Sequence, residues 1–319
     1  MRGLAALYVM VFHFLYSPNK LVPAWVTWFT GEGWSGVVFF FVLSGYLLAA
    51  LYSKPTKRYF IRRVFRTFPL YYASLPLYAI TGFIVFSPVY LIYAQNYFPQ
   101  TFNVSALWTL TLEEFFYFVL FPLILILQIK PRYLVLAGLA GSVLWIFLPY
   151  TPMVNLQMPE YFICYAVGIY LAKNKASITR RIRPTRLISL ALVCLFIAST
   201  IAISLLFGAI DESPIEALAY SAIYGLVILF MQEHVLFTNP VSHFLGKISY
   251  GLYILQMPIL WIIAHPDQVM YIGQPMASLH LSIFVSVPIA ALATVCAATA
   301  SYYLFESRFV SFGRRITGG

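Results

Sequence analysis

Charged side chains are scarce in this sequence: 20 Lys and Arg and 10 Asp and Glu among 319 residues, or 9%. A soluble domain carries about 25%, and a chain with so few could not cover its own surface in water. That argues against a water-soluble enzyme, and no soluble appendage is expected within these residues. The composition reads as one integral membrane domain over residues 1–319. Cysteine is nearly missing as well. Cys164, Cys194 and Cys296 all fall in apolar runs, with neither an even count nor metal-ligand spacing, so they read as packing. The sequence also lacks low-complexity tracts and internal repeats, the latter being the usual mark of inverted-repeat carriers.

What is abundant is apolar length. The chain is 61% hydrophobic with a mean hydropathy of +0.84. A spanning helix needs about 20 apolar residues to cross about 30 Å of hydrocarbon. Ten candidates centre on 3–17, 34–53, 67–87, 105–129, 133–150, 158–172, 187–208, 215–232, 245–264 and 279–305. The fold class expected is therefore all-α, a polytopic membrane helix bundle of about ten transmembrane helices. The first run follows Arg2 as in a signal peptide, but no small-x-small cleavage site follows it, so it is expected to be retained. The native start is expected to lie upstream of Met1.

The charges fix an orientation. With a cytoplasmic N-terminus, the inner side receives Arg2, the cluster from Lys54 to Arg66, Lys130, Arg132, the cluster from Lys173 to Arg186, Lys247, Arg308, Arg314 and Arg315. Nineteen of the 20 basic residues then lie inside and Lys20 alone outside. Glu32, Asp211, Glu212, Glu216 and Asp267 fall in outer loops. This is the positive-inside pattern, and it implies an even number of spans with both termini cytoplasmic. The net charge of +10 is thus a topology signal, and no nucleic-acid partner is needed to explain it.

Ionisable residues at membrane depth cost about 2.5–3.5 kcal/mol on insertion scales and mark functional sites. His13 lies 11 residues beyond Arg2, roughly 16 Å along a helix, near mid-membrane. It shares a face with Arg2, Ala5, Ala6 and Val9, of which the small alanines permit close helix packing. It reads either as a structural histidine or as a general base or proton relay. The run Lys57–Arg66 aligns Arg58, Arg62 and Arg66 at i, i+4, i+8 if helical. Such a ridge repels itself unless an anion satisfies it, and arginine forks suit phosphate. It reads equally as a positive-inside loop on lipid head groups. Pro69 is expected to limit the N-terminal extension of the third helix.

The third group is Trp108–Tyr117, where Thr109, Glu113, Phe116 and Tyr117 share a helical face. A helix beginning near Ser105 puts Glu113 roughly 12 Å from its outer end. Glu113 and Glu114 point about 100° apart and so have different partners. One is either in a structural pair with arginine or a carboxylate that orients His13 or meets substrate. In the ninth helix Ser249, Tyr253 and Gln256 form a polar stripe that reads as interhelical glue. Glu233, His234, His243 and His265 suit solvated roles, while Glu160 and Glu306, near helix ends, suit either.

With these residues assembled, the chain resembles the acyltransferase family 3 membrane proteins, which O-acylate carbohydrates and other acceptors. Arg2-Gly3-Leu4-Ala5-Ala6-Leu7-Tyr8-Val9 with His13 is similar to the family's opening helix, and Gly36–Tyr46 to its second. Arg62-Arg63-x-x-Arg66-x-x-Pro69-x-Tyr71 is similar to its arginine motif. Trp108-Thr109-Leu110-x-x-Glu113-x-x-Phe116-Tyr117, followed by Pro122, is similar to its Trp-Ser-Leu-x-x-Glu-x-x-Phe-Tyr signature, and Ile248-Ser249-Tyr250 completes five motifs in order. Three departures stand out: few residues precede Arg2, Gln256 stands where histidine is common, and Glu306-Ser307-Arg308 replaces a Glu-x-Pro element.

The resemblance implies an acyl-CoA donor, acetyl-CoA above all, bound from the cytoplasm by Arg62, Arg63 and Arg66. It implies a carbohydrate or glycolipid acceptor, a multi-pass protein of a bacterial inner membrane surrounded by lipid, and no metal. His13 and Glu113 are the catalytic pair it points to, with Arg2, Trp108, Glu114, Tyr117, Ser249 and Tyr253 in support. Oligomeric state is not indicated. A proton-coupled secondary transporter using His13 and Glu113, or a scaffold without chemistry, is the competing reading.

Overall fold

The computed structural model describes residues 1–15, 23–98, 106–147, 158–182, 185–207, 213–264 and 283–318. Among them every regular element is helical. Lys20, Arg183, Asp211, Glu212 and Asp267, which carried part of the topology argument, lie outside the described residues, as do Ser105 and His265. Six helices are long and apolar enough to span a membrane, so the chain is a multi-pass α-helical membrane protein. The helices group into two compact units.

The first unit contains Met1–Ser53, Ile124–Tyr150 and Gln157–Gly246. Its helices are α1 (Arg2–Leu15), α2 (Ala24–Thr30) and α3 (Ser35–Leu51), the last two joined by a 3-10 turn at Gly31–Trp34. Small residues decide how these pack. Gly3, Ala5, Ala6 and Val9 are the buried side of α1. A Cβ on Gly36 would lie 2.8 Å from the Ala5 carbonyl oxygen, and one on Gly33 would press on Tyr8 and Phe12. Helix α3 is apolar around its whole circumference and buried along most of its length, as expected of a helix surrounded by others.

Later helices of the unit are α7 (Pro131–Phe147), α8 (Met158–Arg181), α9 (Arg186–Phe207), α10 (Pro214–Met231) and α11 (Val235–Thr238). Helices α3 and α8 cross closely because glycine stands on both sides: a Cβ on Gly45 would meet the Tyr165 carbonyl, and one on Gly168 the Val42 carbonyl. Ser213 accepts from the Glu216 backbone N–H at 3.3 Å and caps α10, the spacing of a capping box. By contrast, α9 exposes Leu187, Leu190, Leu195, Leu205 and Leu206. An exposed face that is itself apolar suits lipid.

The second unit contains Lys54–Leu123 and Lys247–Gly319. Thr56 caps α4 (Lys57–Ile80), accepting from the Tyr59 backbone N–H at 3.3 Å. The helix runs unbroken through Pro69 and Pro76, so Pro69 does not limit its start. A proline removes one hydrogen bond and crowds one carbonyl, and helices packed among others at membrane depth tolerate that. Helix α5 (Trp108–Phe115) passes through a π turn at Phe116–Leu120 into α6 (Phe121–Ile126). Pro122 cannot donate to the Phe118 carbonyl, and the widened turn before it accommodates the loss. The chain ends in α12 (Pro240–Ala264), α13 (Ile283–Ser301), a second π turn at Tyr302–Glu306 and α14 (Ser307–Ile316).

Candidate active site

In the first unit His13 is half-buried on the last turn of α1, its ring 5.1 Å from that of Phe12. Arg2, at the other end of the helix, lays its guanidinium over Phe40, 5.6 Å from the ring centre. Glu32 was expected in an outer loop, but the structure buries it completely inside the helical stretch Val26–Leu51. The expectation rested on its place between the apolar runs 3–17 and 34–53. Gly33 instead lets the 3-10 turn seat against Phe12, and this draws Glu32 into the protein. Tyr220 donates to Glu32 Oε2 at 2.9 Å, while Ser35 and Tyr224 share a hydrogen bond of 2.7 Å one turn further along.

This polar core makes a stability prediction. Tyr220→Phe removes the donor to a fully buried carboxylate, and an orphaned buried acceptor costs about 1–3 kcal/mol. The melting temperature of the detergent-purified variant should fall, and Glu32→Gln combined with Tyr220→Phe should recover part of the loss. Equal melting temperatures for wild type and Tyr220→Phe would count against the bond.

The second unit gathers the remaining site residues. Tyr59, Arg63, Thr67 and Tyr71 recur every fourth position on α4, the side that faces protein. Tyr59 is buried and donates to the Tyr117 carbonyl at 2.6 Å. Arg63 sits 5.1 Å from the centre of the Tyr117 ring, a cation–π distance. The Tyr117 hydroxyl donates to Glu113 Oε1, so Arg63, Tyr117 and Glu113 form one linked set between α4 and α5. Arg62 turns the other way, its Nε donating to Thr317 at 3.2 Å. Arg58 is exposed and Arg66 half-buried. The expected ridge therefore exists, with Arg63 diverging from it toward the carboxylates.

Glu114 is buried, and among the described residues neither of its oxygens has a hydrogen-bond partner. Thr67 lies beside it, but the Thr67 hydroxyl proton goes to the Arg63 carbonyl at 3.1 Å. Thr109 and Tyr253 bond at 2.7 Å, which brings the polar stripe of α12 against the Thr109–Glu113–Tyr117 face of α5. Ser249 and Gln256 on that stripe are buried too. Tyr250 donates to the Thr67 carbonyl at 2.7 Å with Glu113, Glu114 and Glu306 within electrostatic range. Glu306 accepts from Ser301 at 3.0 Å.

Two buried amides escaped the sequence reading. Asn96 donates to the Trp108 carbonyl at 2.8 Å and Gln95 to that of Leu107 at 3.0 Å, fixing the start of α5 and with it half-buried Trp108. The signal was there: an adjacent amide pair in an apolar aromatic stretch. In the same loop, outside the spans, burial pushes the Tyr90 phenol up to about 12, so it stays neutral while its carbonyl accepts from Tyr71 at 2.9 Å. Tyr93, next to it, has φ 55°, uncommon for a bulky residue, and stacks on Tyr71 at 4.0 Å.

A polytopic helical protein with a half-buried histidine, a linked arginine–tyrosine–carboxylate set and further buried carboxylates is what a membrane-embedded enzyme requires. The chain belongs to the acyltransferase domain family, acyltransferase family 3, whose match spans residues 1–305, and it is an acyltransferase. It is 30% identical over 281 residues to the candidate acetyltransferase ORF330 of Acidianus two-tailed virus, covering 80% of each chain. It is 26% identical over 319 residues to candidate O-acetyltransferases of Staphylococcus aureus strains COL and MSSA476, covering 82% of this chain and 50% of each of theirs. The chain thus spans about half the length of those staphylococcal relatives. No solved structure matches it.

Proposed function

We propose that the chain is an O-acyltransferase, most simply an O-acetyltransferase, moving an acyl group from cytoplasmic acyl-CoA to a hydroxyl of a cell-surface or lipid-linked carbohydrate. It would act as a single multi-pass domain over residues 1–319, with both termini cytoplasmic, in a bacterial inner membrane. The observation that carries the reading is α4. This one helix carries an exposed basic end and half-buried Arg62, Arg63 and Arg66, and at the level of Arg63 it meets the buried Tyr117–Glu113 pair. Coenzyme A carries several phosphates on a long thin arm, and guanidinium forks on a helix end suit them.

In this reading His13 takes the proton of the acceptor hydroxyl as its oxygen attacks the thioester carbonyl. The carbon–sulfur bond then breaks, and the coenzyme A thiolate leaves and recovers a proton, so the ester and free thiol balance thioester and alcohol. Glu113, held by Tyr117, is the second catalytic group. Arg2, Trp108, Glu114, Ser249 and Tyr253 hold the helices that carry these two. The names of the viral and staphylococcal relatives support acetyl as the group transferred.

The test is transfer of labelled acetyl from acetyl-CoA in inside-out vesicles. Arg62→Ala/Arg66→Ala should raise KM for acetyl-CoA by about ten- to a hundredfold, two charge-assisted contacts being lost, with a smaller change in kcat. An unchanged KM would remove the arginines from the donor site. Absence of any CoA-dependent labelling, with pH-gradient-driven solute flux in its place, would replace the enzyme reading by a transporter.

A further inference from the structure

Helix α14 carries a feature that acyl transfer does not require. Its sequence, Ser307-Arg308-Phe309-Val310-Ser311-Phe312-Gly313-Arg314-Arg315-Ile316, puts Ser307, Ser311, Arg308 and Arg315 on one face and Phe309, Phe312 and Ile316 on the next. Gly313 seats the helix on α4, where an added Cβ would lie 2.8 Å from Phe65. The Arg62–Thr317 bond holds its end. What remains outward is amphipathic: Arg308, Arg314 and Arg315 are exposed, and Phe312 and Ile316 are each 52% exposed beside them.

Between Arg308 and Arg315 lies a cleft of about 650 Å³, lined also by Phe65, Ser307, Phe309 and Phe312. The two guanidinium groups come from positions seven residues apart, roughly 10 Å or two turns. Among the described residues of this unit no exposed acidic side chain supplies their counter-charge. Glu113, Glu114 and Glu306 are the acidic residues among its described residues, and all three are buried. The depth is also informative. The helical stretch Val285–Ile316 has 32 residues, about 48 Å of helix, against about 30 Å of hydrocarbon and about 40–45 Å with head groups. Its last turns therefore reach head-group level.

We infer that the α14 cleft binds the phosphate of an anionic phospholipid, with Arg308 and Arg315 on the phosphate and Phe309 and Phe312 beside the start of its acyl chains. Both halves of such an amphiphile find a complement here: phosphate for the arginines and the Ser311 hydroxyl, hydrocarbon for the exposed aromatic and aliphatic edge. A water-soluble anion would satisfy the arginines and leave Phe312 and Ile316 bare.

Native mass spectrometry of the full chain in detergent, titrated with dioleoylphosphatidylglycerol or dioleoylphosphatidylcholine, tests this. The wild type should retain phosphatidylglycerol selectively. Arg308→Gln/Arg315→Gln should weaken that retention about thirtyfold, on the usual contribution of each basic residue near an anionic surface, and Arg308→Lys/Arg315→Lys should keep most of it. Should the glutamine pair fail to fold, Arg315→Gln alone should show a loss of about fivefold. Equal retention of the two lipids, or undiminished selectivity in the glutamine variants, would overturn the inference. So would displacement of phosphatidylglycerol by millimolar coenzyme A, which would give the cleft to a nucleotide instead. Acetyl transfer measured on the same variants reports on the donor site separately.

Discussion

Replacing His13 by alanine should lower acyl transfer by about a hundredfold to ten-thousandfold, the range that a positioned general base supplies, while the protein folds as before. The second half of that expectation follows from how α1 packs. Gly3, Ala5, Ala6 and Val9 make its close approaches, and His13 is half-buried beyond them. Truncating the imidazole removes little of the surface that holds the helix. The measurement is labelled-acetyl transfer in vesicles, with the melting temperature of the purified variant read alongside. His13→Gln keeps the polarity of the position and removes the base, so it should be as inactive as His13→Ala. Turnover close to wild type in either variant would sink the assignment. A shared loss of activity and melting temperature in both would make His13 a packing residue.

The largest effect on stability is expected at Gly168. Its Cα lies against the Val42 carbonyl where α3 and α8 cross, and a Cβ there would also fall 2.7 Å from the Tyr46 backbone nitrogen. The neighbours are main chain, which cannot swing aside as a side chain does. Gly168→Leu must therefore force the two helices apart, and overpacking of this kind costs upward of 1–3 kcal/mol. Because α3 is buried along most of its length, the effect should reach well beyond the crossing. Size-exclusion profile and melting temperature in detergent read it, with loss of monodisperse protein as the expected outcome. Gly246→Ala is the control, since a Cβ there meets nothing within 4 Å. A well-behaved Gly168→Leu protein would mean that the helices separate without penalty.

Hydropathy located the long helices because lipid demands length and apolarity from each of them. It did not show α2, α11 or α14, which lie outside the ten runs, and six of the described helices are long and apolar enough to span. Other expectations failed where packing decides. Pro69 interrupts the α4 pattern in sequence, yet α4 runs through it, where neighbouring helices absorb the lost hydrogen bond. Glu32 and Glu216, between or at the edge of apolar runs, were expected in outer loops, yet both are buried in helical stretches. The arginine alignment of α4 was legible from four-residue spacing alone. The turning of Arg63 toward Tyr117 was not, because it depends on which neighbour each face meets. Nor was the link from Asn96 and Gln95 to the first carbonyls of α5, a contact made across 12 residues.

The π turn at Phe116–Leu120 has one more consequence. An ordinary helix has a single register, so a residue's position along it dictates which side it serves. Adding one residue to a turn rotates everything beyond it by about 100°. Before the turn, Thr109 and Glu113 are buried; after it, Leu123 and Ile126 are exposed. The widened turn works as a coupling between two half-helices whose phases are set independently, one to the buried polar residues and one to the bilayer. Shortening it by a residue would leave the span apolar and helical, but would turn one half out of phase with its surroundings.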